Sequence, residues 1–415
     1  MKSNIYKHLI ILFAMPVLGL LLLILVHLLP TNPMKQHVAD SYEVISRESN
    51  SASEVIIPGF NATLTGNFTD SLMLQNAIYN NPAHNAFEQA LKVYRHEIGD
   101  ANYWLPFDSL TDYLNTGDTS SEVNYQRYWH GYLVFLKPLL LVTSLNSLRL
   151  FSAALQLILV GLCIMLLSKK GHTGLALSFM ASLPFMFFFT SFASLSLSIC
   201  LYIMLAGIMM YLLFEKYVSK NLLIYFLILG MVTSYFDFLT YPLVTLCFPL
   251  CIVLALNIKD TKKSLLDMLI YSAEWAVGFV WMWGSKWVIG FIFGGKDALS
   301  DALSTVAQRT GNTDGFNKLT GLFNTLKLNL SPFMNWGFVL TLVIIVGIII
   351  AYFISNKNKQ TKLQNIVPFI CLSLYPLVWF FLTENHSSEH WMFTCRILSV
   401  SVFALLSGVI AIRKE

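Results

Sequence analysis

About ten runs of roughly twenty apolar residues interrupt this chain, and each is near the length an α-helix needs to cross a hydrocarbon core of about 30 Å. They cover approximately residues 9–29, 147–168, 171–191, 193–214, 221–239, 241–257, 265–292, 334–354, 364–382 and 392–412. Of 415 residues, 56% are hydrophobic and only 12% charged, against about 25% charged in a typical soluble domain. A water-soluble core cannot hide that much apolar surface. The expected fold is therefore an all-α polytopic membrane protein of about ten transmembrane helices, one integral membrane domain over residues 1–415.

Charge placement gives the expected orientation. Lys and Arg collect in short cytoplasmic loops, and with the N-terminus inside, the inner loops hold Lys169-Lys170, Lys216 with Lys220, Lys259 with Lys262-Lys263, Lys357-Lys359-Lys362 and Arg413-Lys414. The outer connections Thr190 to Phe192, Thr240 to Tyr241 and Thr383 to Trp391 carry no Lys or Arg. The expectation is a plasma-membrane protein with both termini cytoplasmic. Lys2 and Lys7 precede the first apolar run, which exceeds the roughly 7 to 15 residues of a signal-peptide core and lacks a small-x-small cleavage site, so it reads as a retained anchor. The formal charge of +4 calls for no nucleic-acid partner, and the six cysteines all fall in or beside apolar runs, which suits buried, inert thiols.

Two segments are polar enough to lie outside the bilayer, residues 30–134 and 293–333, both expected on the extracytoplasmic side. In the first, Asp70 to Asn81 and Asn85 to Ile98 carry apolar residues at three-to-four spacing, which predicts two amphipathic helices broken at Asn80-Asn81-Pro82. Aromatic residues are dense from Tyr103-Trp104 to Tyr132, as in helices at the headgroup level, and His130 to Val142, with Lys137-Pro138, reads as a segment entering the membrane face obliquely.

Charged side chains in apolar runs are costly and mark candidate sites. Asp237 lies near the outer end of the fifth run, Lys286 in the outer half of the seventh, and Arg396 at the start of the tenth; Glu274, in the inner half of the seventh, stands apart. Each has a plainer reading. Lys286 and Arg396 can snorkel to the interface, Asp237 can hydrogen-bond a helix end, and Thr69-Asp70 is a good helix start. Glu384, His386, Glu389 and His390 carry metal-ligand side chains, yet short polar turns are usually only solvated.

One N-terminal span, a long first outer loop with amphipathic helices, many further spans and functional groups on the outer side resemble the GT-C membrane glycosyltransferases. The resemblance covers the architecture of the whole chain and rests on weak local motifs. It implies transfer of a sugar from a polyprenyl-phosphate donor to an envelope glycan or lipid, with an acid of the first outer loop as general base. Carried onto this chain, that role falls on Asp70, with Asp40 in reserve; Asp70 stands farther from the first span than the family's acid usually does, and alone. The chemistry then asks for cations at the leaving phosphate, which Lys286, Arg396 and Arg127 would supply. Trp129, His130 and Tyr132 would stack on or hydrogen-bond a sugar ring, and Asp237, His386 and His390 are the remaining substrate-binding candidates. No cofactor is required by these motifs; a divalent metal at the Glu384 to His390 turn is the one candidate. The competing expectation is a transporter or flippase for a lipid-linked substrate, although such proteins usually place ionisable groups near the midplane and show repeated halves.

Overall fold

The computed structural model describes residues 2–49, 55–60, 63–99, 106–257, 260–295, 297–310, 318–355 and 363–411. It is all-α apart from a short antiparallel pair, β1 (Arg95–His96) and β2 (Glu122–Val123). Tyr103, Trp104, Asn61, Lys259, the lysines at 357, 359 and 362, Arg413 and Lys414 lie outside the described residues.

The chain opens with α1 (Lys2–His27) and then builds a polar cap. The cap holds α2 (Thr31–Ala39), α3 (Tyr42–Ser49), α4 (Asn67–Ile78), α5 (Ala86–Lys92), α6 (Pro106–Thr116) and α7 (Leu133–Leu140). The two helices expected in the first loop are α4 and α5, and the second ends early because the chain turns at Val93, with φ +48°, into β1. Asn85 starts α5 by accepting the Glu88 amide at 2.9 Å. The oblique segment is α7.

The bundle follows: α8 (Leu145–Lys169), α9 (Thr173–Ser182), α10 (Leu195–Leu213), α11 (Glu215–Val218), α12 (Leu222–Phe236), α13 (Leu243–Leu256) and α14 (Thr261–Gly294). The second polar segment forms α15 (Asp297–Arg309) and α16 (Lys318–Leu330). The chain closes with α17 (Trp336–Ser355), α18 (Val367–Ser373), α19 (Tyr375–Leu382), α20 (Glu384–Glu389), α21 (Trp391–Thr394) and α22 (Ser399–Ala411). Between α9 and α10 the expected tight hairpin at Thr190 and Ser191 is made by two 3-10 turns, Pro184–Met186 and Phe188–Phe192.

The expectation of about ten spans is corrected. Five helical segments among the described residues are long and apolar enough to cross a membrane, Tyr6–His27, Leu145–Lys169, Leu195–Leu213, Thr261–Gly294 and Trp391–Val409. A sixth counts if Lys318–Phe333 and Trp336–Gly347, bent by 83°, act as one. The other expected runs are the shorter apolar helices Thr173–Met186, Leu222–Phe236, Leu243–Leu256 and Val367–Leu382. A 15-residue helix rises only about 22 Å. The physical reason for the miscount lies in α13, whose residues are buried on every face from Leu243 to Leu254. Apolarity earned by packing among other helices looks the same in a sequence as apolarity facing lipid.

Two cores organise the packing. The larger joins α8, α9, α10, α12, α13 and α22, with Phe248 and Phe403 stacked within it and Phe179 edge-on to both. The second joins the cap to α1, α12 and α14 through Leu74, Tyr113, Trp129, Leu133, Met231 and Met282. The six cysteines are free; Cys371 is half-buried and the rest buried. Helices α12 and α14 approach closely, since a Cβ on Gly230 would lie 2.0 Å from the Trp275 carbonyl oxygen, and one on Gly278 2.1 Å from that of Leu227. Small residues permit such contact between helices in a membrane. Gly278→Val is expected to force these helices apart and lower thermal stability in detergent by about 1 to 3 kcal/mol. Gly284→Ala, which meets open space on the same helix, should leave the melting curve unchanged.

Candidate functional site

The acid assigned as base from the sequence has a different set of partners from the one that role needs. Asp70 sits in the first turn of α4 and reaches the N-terminus of α10. There its carboxylate accepts the backbone N–H groups of Leu195 (2.7 Å) and Ser196 (2.9 Å) and the hydroxyls of Ser194 (3.1 Å) and Ser196 (2.8 Å). The Arg149 guanidinium stands 3.8 Å from the remaining face of Oδ2. A helix N-terminus leaves its first amides unpaired and partly positive, so a carboxylate is stabilised there. A carboxylate offers about four acceptor positions, and here Oδ1 takes three donors and Oδ2 one. Gly66 permits the approach, since a Cβ there would be 2.6 Å from the Ser196 hydroxyl. Asp70 thus fastens the cap to the bundle. Asp40, at the exposed C-terminal end of α2, accepts only from Gln36 at 2.9 Å.

The buried cations behave in the same way. Lys286, fully enclosed in α14, donates to the carbonyls of Ala90 (3.2 Å) and Leu91 (2.7 Å) in the last turn of α5 and lies 5.3 Å from the Trp129 ring centre. Lys137, also fully enclosed, donates to Ala77 at 2.7 Å in the last turn of α4. Trp129 donates its indole N–H to the Met282 carbonyl. Arg396 donates to the Thr190 hydroxyl at 2.7 Å and to the Met392 carbonyl, with its guanidinium 5.5 Å from the Phe187 ring. Glu274 pairs with His8 at 3.6 Å, far from this set. The structure therefore does not bring Asp70, Lys286 and Arg396 to one cavity; each ends on a different helix terminus or turn.

A second group does converge. His130, with φ +56°, holds its ring between the Tyr125 carbonyl (2.7 Å) and the Tyr132 hydroxyl (3.2 Å), which also accepts from Asn76 at 2.9 Å. Phe238 lies at the middle of this aromatic box, 5.2 Å from His130, 4.9 Å from Tyr132 and 6.0 Å from Tyr128. Trp283 stacks on Tyr128 at 5.8 Å, and Trp283 and Trp287 both donate to the Arg127 carbonyl, at 2.9 and 3.1 Å. Arg127 itself points to Thr305 of α15 at 2.8 Å.

Asp237 follows α12 directly and adjoins this box. Its carboxylate accepts the Thr240 amide (2.9 Å) and the Thr240 hydroxyl, which closes the turn that leads into α13. Within that turn Leu239 adopts φ +69°, and its carbonyl accepts Nε2 of His386 at 2.8 Å. Nδ1 of His386 is then the acceptor, and Arg309 at the end of α15 donates to it. The Arg309 guanidinium lies 5.9 Å from the Tyr128 ring and the His390 ring 4.7 Å from that of His386. Burial, reinforced by Arg309, holds His386 well below its usual pKa and pushes His390 down to about 4, so both are neutral at pH 7. Burial pushes the Asp237 carboxyl up to about 6. The Tyr128 hydroxyl and Glu384 Oε2 are buried and have no partner among the described residues. His386 and His390 lie beside the turn that Asp237 closes, and the cation beside them is Arg309. Nothing in an amphipathic helix such as α15 signals that its last residue folds back onto this turn. Among the described residues no group of three His, Cys, Asp or Glu side chains is arranged to hold a metal ion.

An apolar groove of about 1220 Å³ runs along the bundle between α1, α7, α8, α10 and α12. Lys7, Tyr217 and Asn221 line one end; Met73, Tyr132, Leu195 and Phe236 line the other, against the cap. No hydropathy pattern predicts it, because a groove and a packed face are equally apolar. Comparisons with family models, curated proteins and solved structures find no match to this chain.

Removing the Asp70 carboxylate leaves two amides and two hydroxyls without their acceptor. Asp70→Ala is expected to cost about 3 kcal/mol or more and to release the cap, seen as a lower melting temperature and as new proteolytic cuts in residues 30–134. Asp40→Ala should alter neither.

Proposed function

We propose that this chain is a membrane glycosyltransferase that moves a sugar from a polyprenyl-phosphate donor to an envelope glycan or lipid on the cap side, which we take as extracytoplasmic with both termini cytoplasmic. The observation that carries this reading is the groove and where it ends. Ordinary ligand pockets measure about 300 to 1,000 Å³, whereas this one is larger, almost wholly apolar and follows α12 from Asn221 to Phe236, a rise of about 22 Å. Those are the dimensions of a long lipid chain. Phe236 is the last groove residue of α12 and Asp237 the next residue of the chain, while Tyr132 lines the groove on one side and meets Phe238 of the aromatic box on the other. A lipid lying in the groove would present its headgroup at the box.

The acceptor hydroxyl needs a base, and Asp237 suits that role better than Asp70. It lies beside the box at the end of the groove, and burial raises its carboxyl to about 6; besides Thr240, the Cys200 thiol and the Leu239 amide hydrogen-bond to it. In the reaction Asp237 takes the proton of the acceptor hydroxyl, the hydroxyl oxygen bonds to the anomeric carbon, and the bond from that carbon to the lipid phosphate breaks. The phosphate leaves with the electron pair and becomes more negative. Arg309, held by neutral His386, is a cation beside both the box and the Asp237 turn, and a guanidinium suits phosphate geometry. The faces of Tyr128 and Phe238 would stack on the sugar.

A base titrating near 6 is active only when deprotonated, so transfer should rise through about pH 6 and level off above it; neutral His386 and His390 add no second limb near pH 7. The test uses purified protein with a radiolabelled polyprenyl-phosphate sugar. Asp237→Asn is expected to lower transfer by about 10²- to 10⁴-fold with the fold intact; undiminished transfer would remove Asp237 as base. The groove also runs most of the length of the bundle, which favours lipid translocation as the second reading. Movement of the lipid across vesicles without any sugar transfer would select it.

A further inference from the structure

We infer that α16 lies flat in the membrane surface on the cap side, with one flank in lipid, one in water and one against the protein. Its burial pattern is inverted relative to a helix on a water-facing surface. Thr325 and Asn329 are fully buried, while Leu319 is 71% and Phe323 74% exposed. At about 100° per residue, Leu319, Phe323 and Leu326 share one side; Thr320, Asn324 and Lys327 occupy the next, exposed to solvent. The third carries Gly321, Thr325 and Asn329 inward. A helix at a water–lipid boundary has this division.

Its direction follows from its neighbour. We take α17 as the sixth span by itself: its 20 residues rise about 30 Å, the thickness of the hydrocarbon core, so α16 is not needed to complete it. Spans tilt by about 20° from the bilayer normal, and α16 is bent from α17 by 83°, which lays it near the membrane plane. The bend is built in: Phe333 and Phe338, 5.0 Å apart across it, pack on Phe185 and Phe187 of the turn before α10. Trp336, 86% exposed, marks the junction at the depth where aromatic belts sit. The exposed apolar side of α16 thus continues the lipid-facing surface of α17, and its occupant is the acyl-headgroup boundary of the bilayer.

The inward side has a further consequence. Thr325 donates to the Glu384 carbonyl (3.2 Å) and Asn329 to that of Ser387 (2.8 Å), so α16 carries α20 and with it His386. The depth of α16 in the membrane sets the position of that turn, whatever the turn does.

The test places a nitroxide on Phe323→Cys and, separately, on Asn324→Cys in the full chain, reconstituted in phosphatidylcholine vesicles, with the wild-type chain as the labelling background. Both side chains are exposed, so neither substitution removes a packed contact. At Phe323→Cys, relaxation by oxygen, which concentrates in lipid, is expected to exceed relaxation by a water-soluble nickel chelate several-fold; Asn324→Cys, one residue on, should show the reverse. Equal exposure of both sites to the nickel chelate would place α16 in water and overturn the inference. Shielding of Phe323→Cys from both reagents would mean that a protein covers this side, which overturns it as well.

Discussion

The structure depends on three enclosed polar side chains, a carboxyl and two amines, that end on the termini of helices. Asp70 of the cap closes the N-terminus of α10, Lys286 of α14 closes the C-terminus of α5, and Lys137 of α7 closes that of α4. Each matches the end it meets: the carboxyl oxygens accept from unpaired amides, and the amines donate to unpaired carbonyls. Left without partners at such depth, each group would cost about 1 to 3 kcal/mol or more, which favours the register that pairs all three. Apolar packing of Leu74, Trp129, Leu133 and Met282 then completes the joint.

Fixing the cap in this way shapes what lies beside it. The turn after α12 is pinned from three directions, by Thr240 on Asp237, by His386 on the Leu239 carbonyl, and by the aromatic box around Phe238. The same turn closes one end of the apolar groove at Phe236. A lipid chain in that groove would end beside the box, and this continuity is what supports the proposal of a lipid-linked substrate.

Much of this was legible in the sequence. The all-α class with several apolar helices, the helices at α4 and α5, the hairpin at Thr190 and the pairing of His386 with His390 follow from periodicity, turn residues and spacing. The span count failed because α12 and α13 are apolar through burial inside the protein. The grouping of Asp70, Lys286 and Arg396 failed because a charge in an apolar setting marks cost but not purpose. Sequence shows that Asp70 must find a partner; only the fold shows that the partner is a helix end 125 residues away. Arg309 was invisible for the complementary reason, since a basic residue closing an exposed amphipathic helix is ordinary until the helix folds back.

Buried polar side chains on helix ends hold the cap to the bundle. Hydrogen–deuterium exchange of the full chain in lipid nanodiscs, compared between the wild type and Lys286→Met, reads this out. Faster exchange is expected in residues 86–92 and in the cap segments packed on them, with α10, α12 and α13 as protected as before. Unchanged protection across the cap would show instead that apolar packing alone holds it.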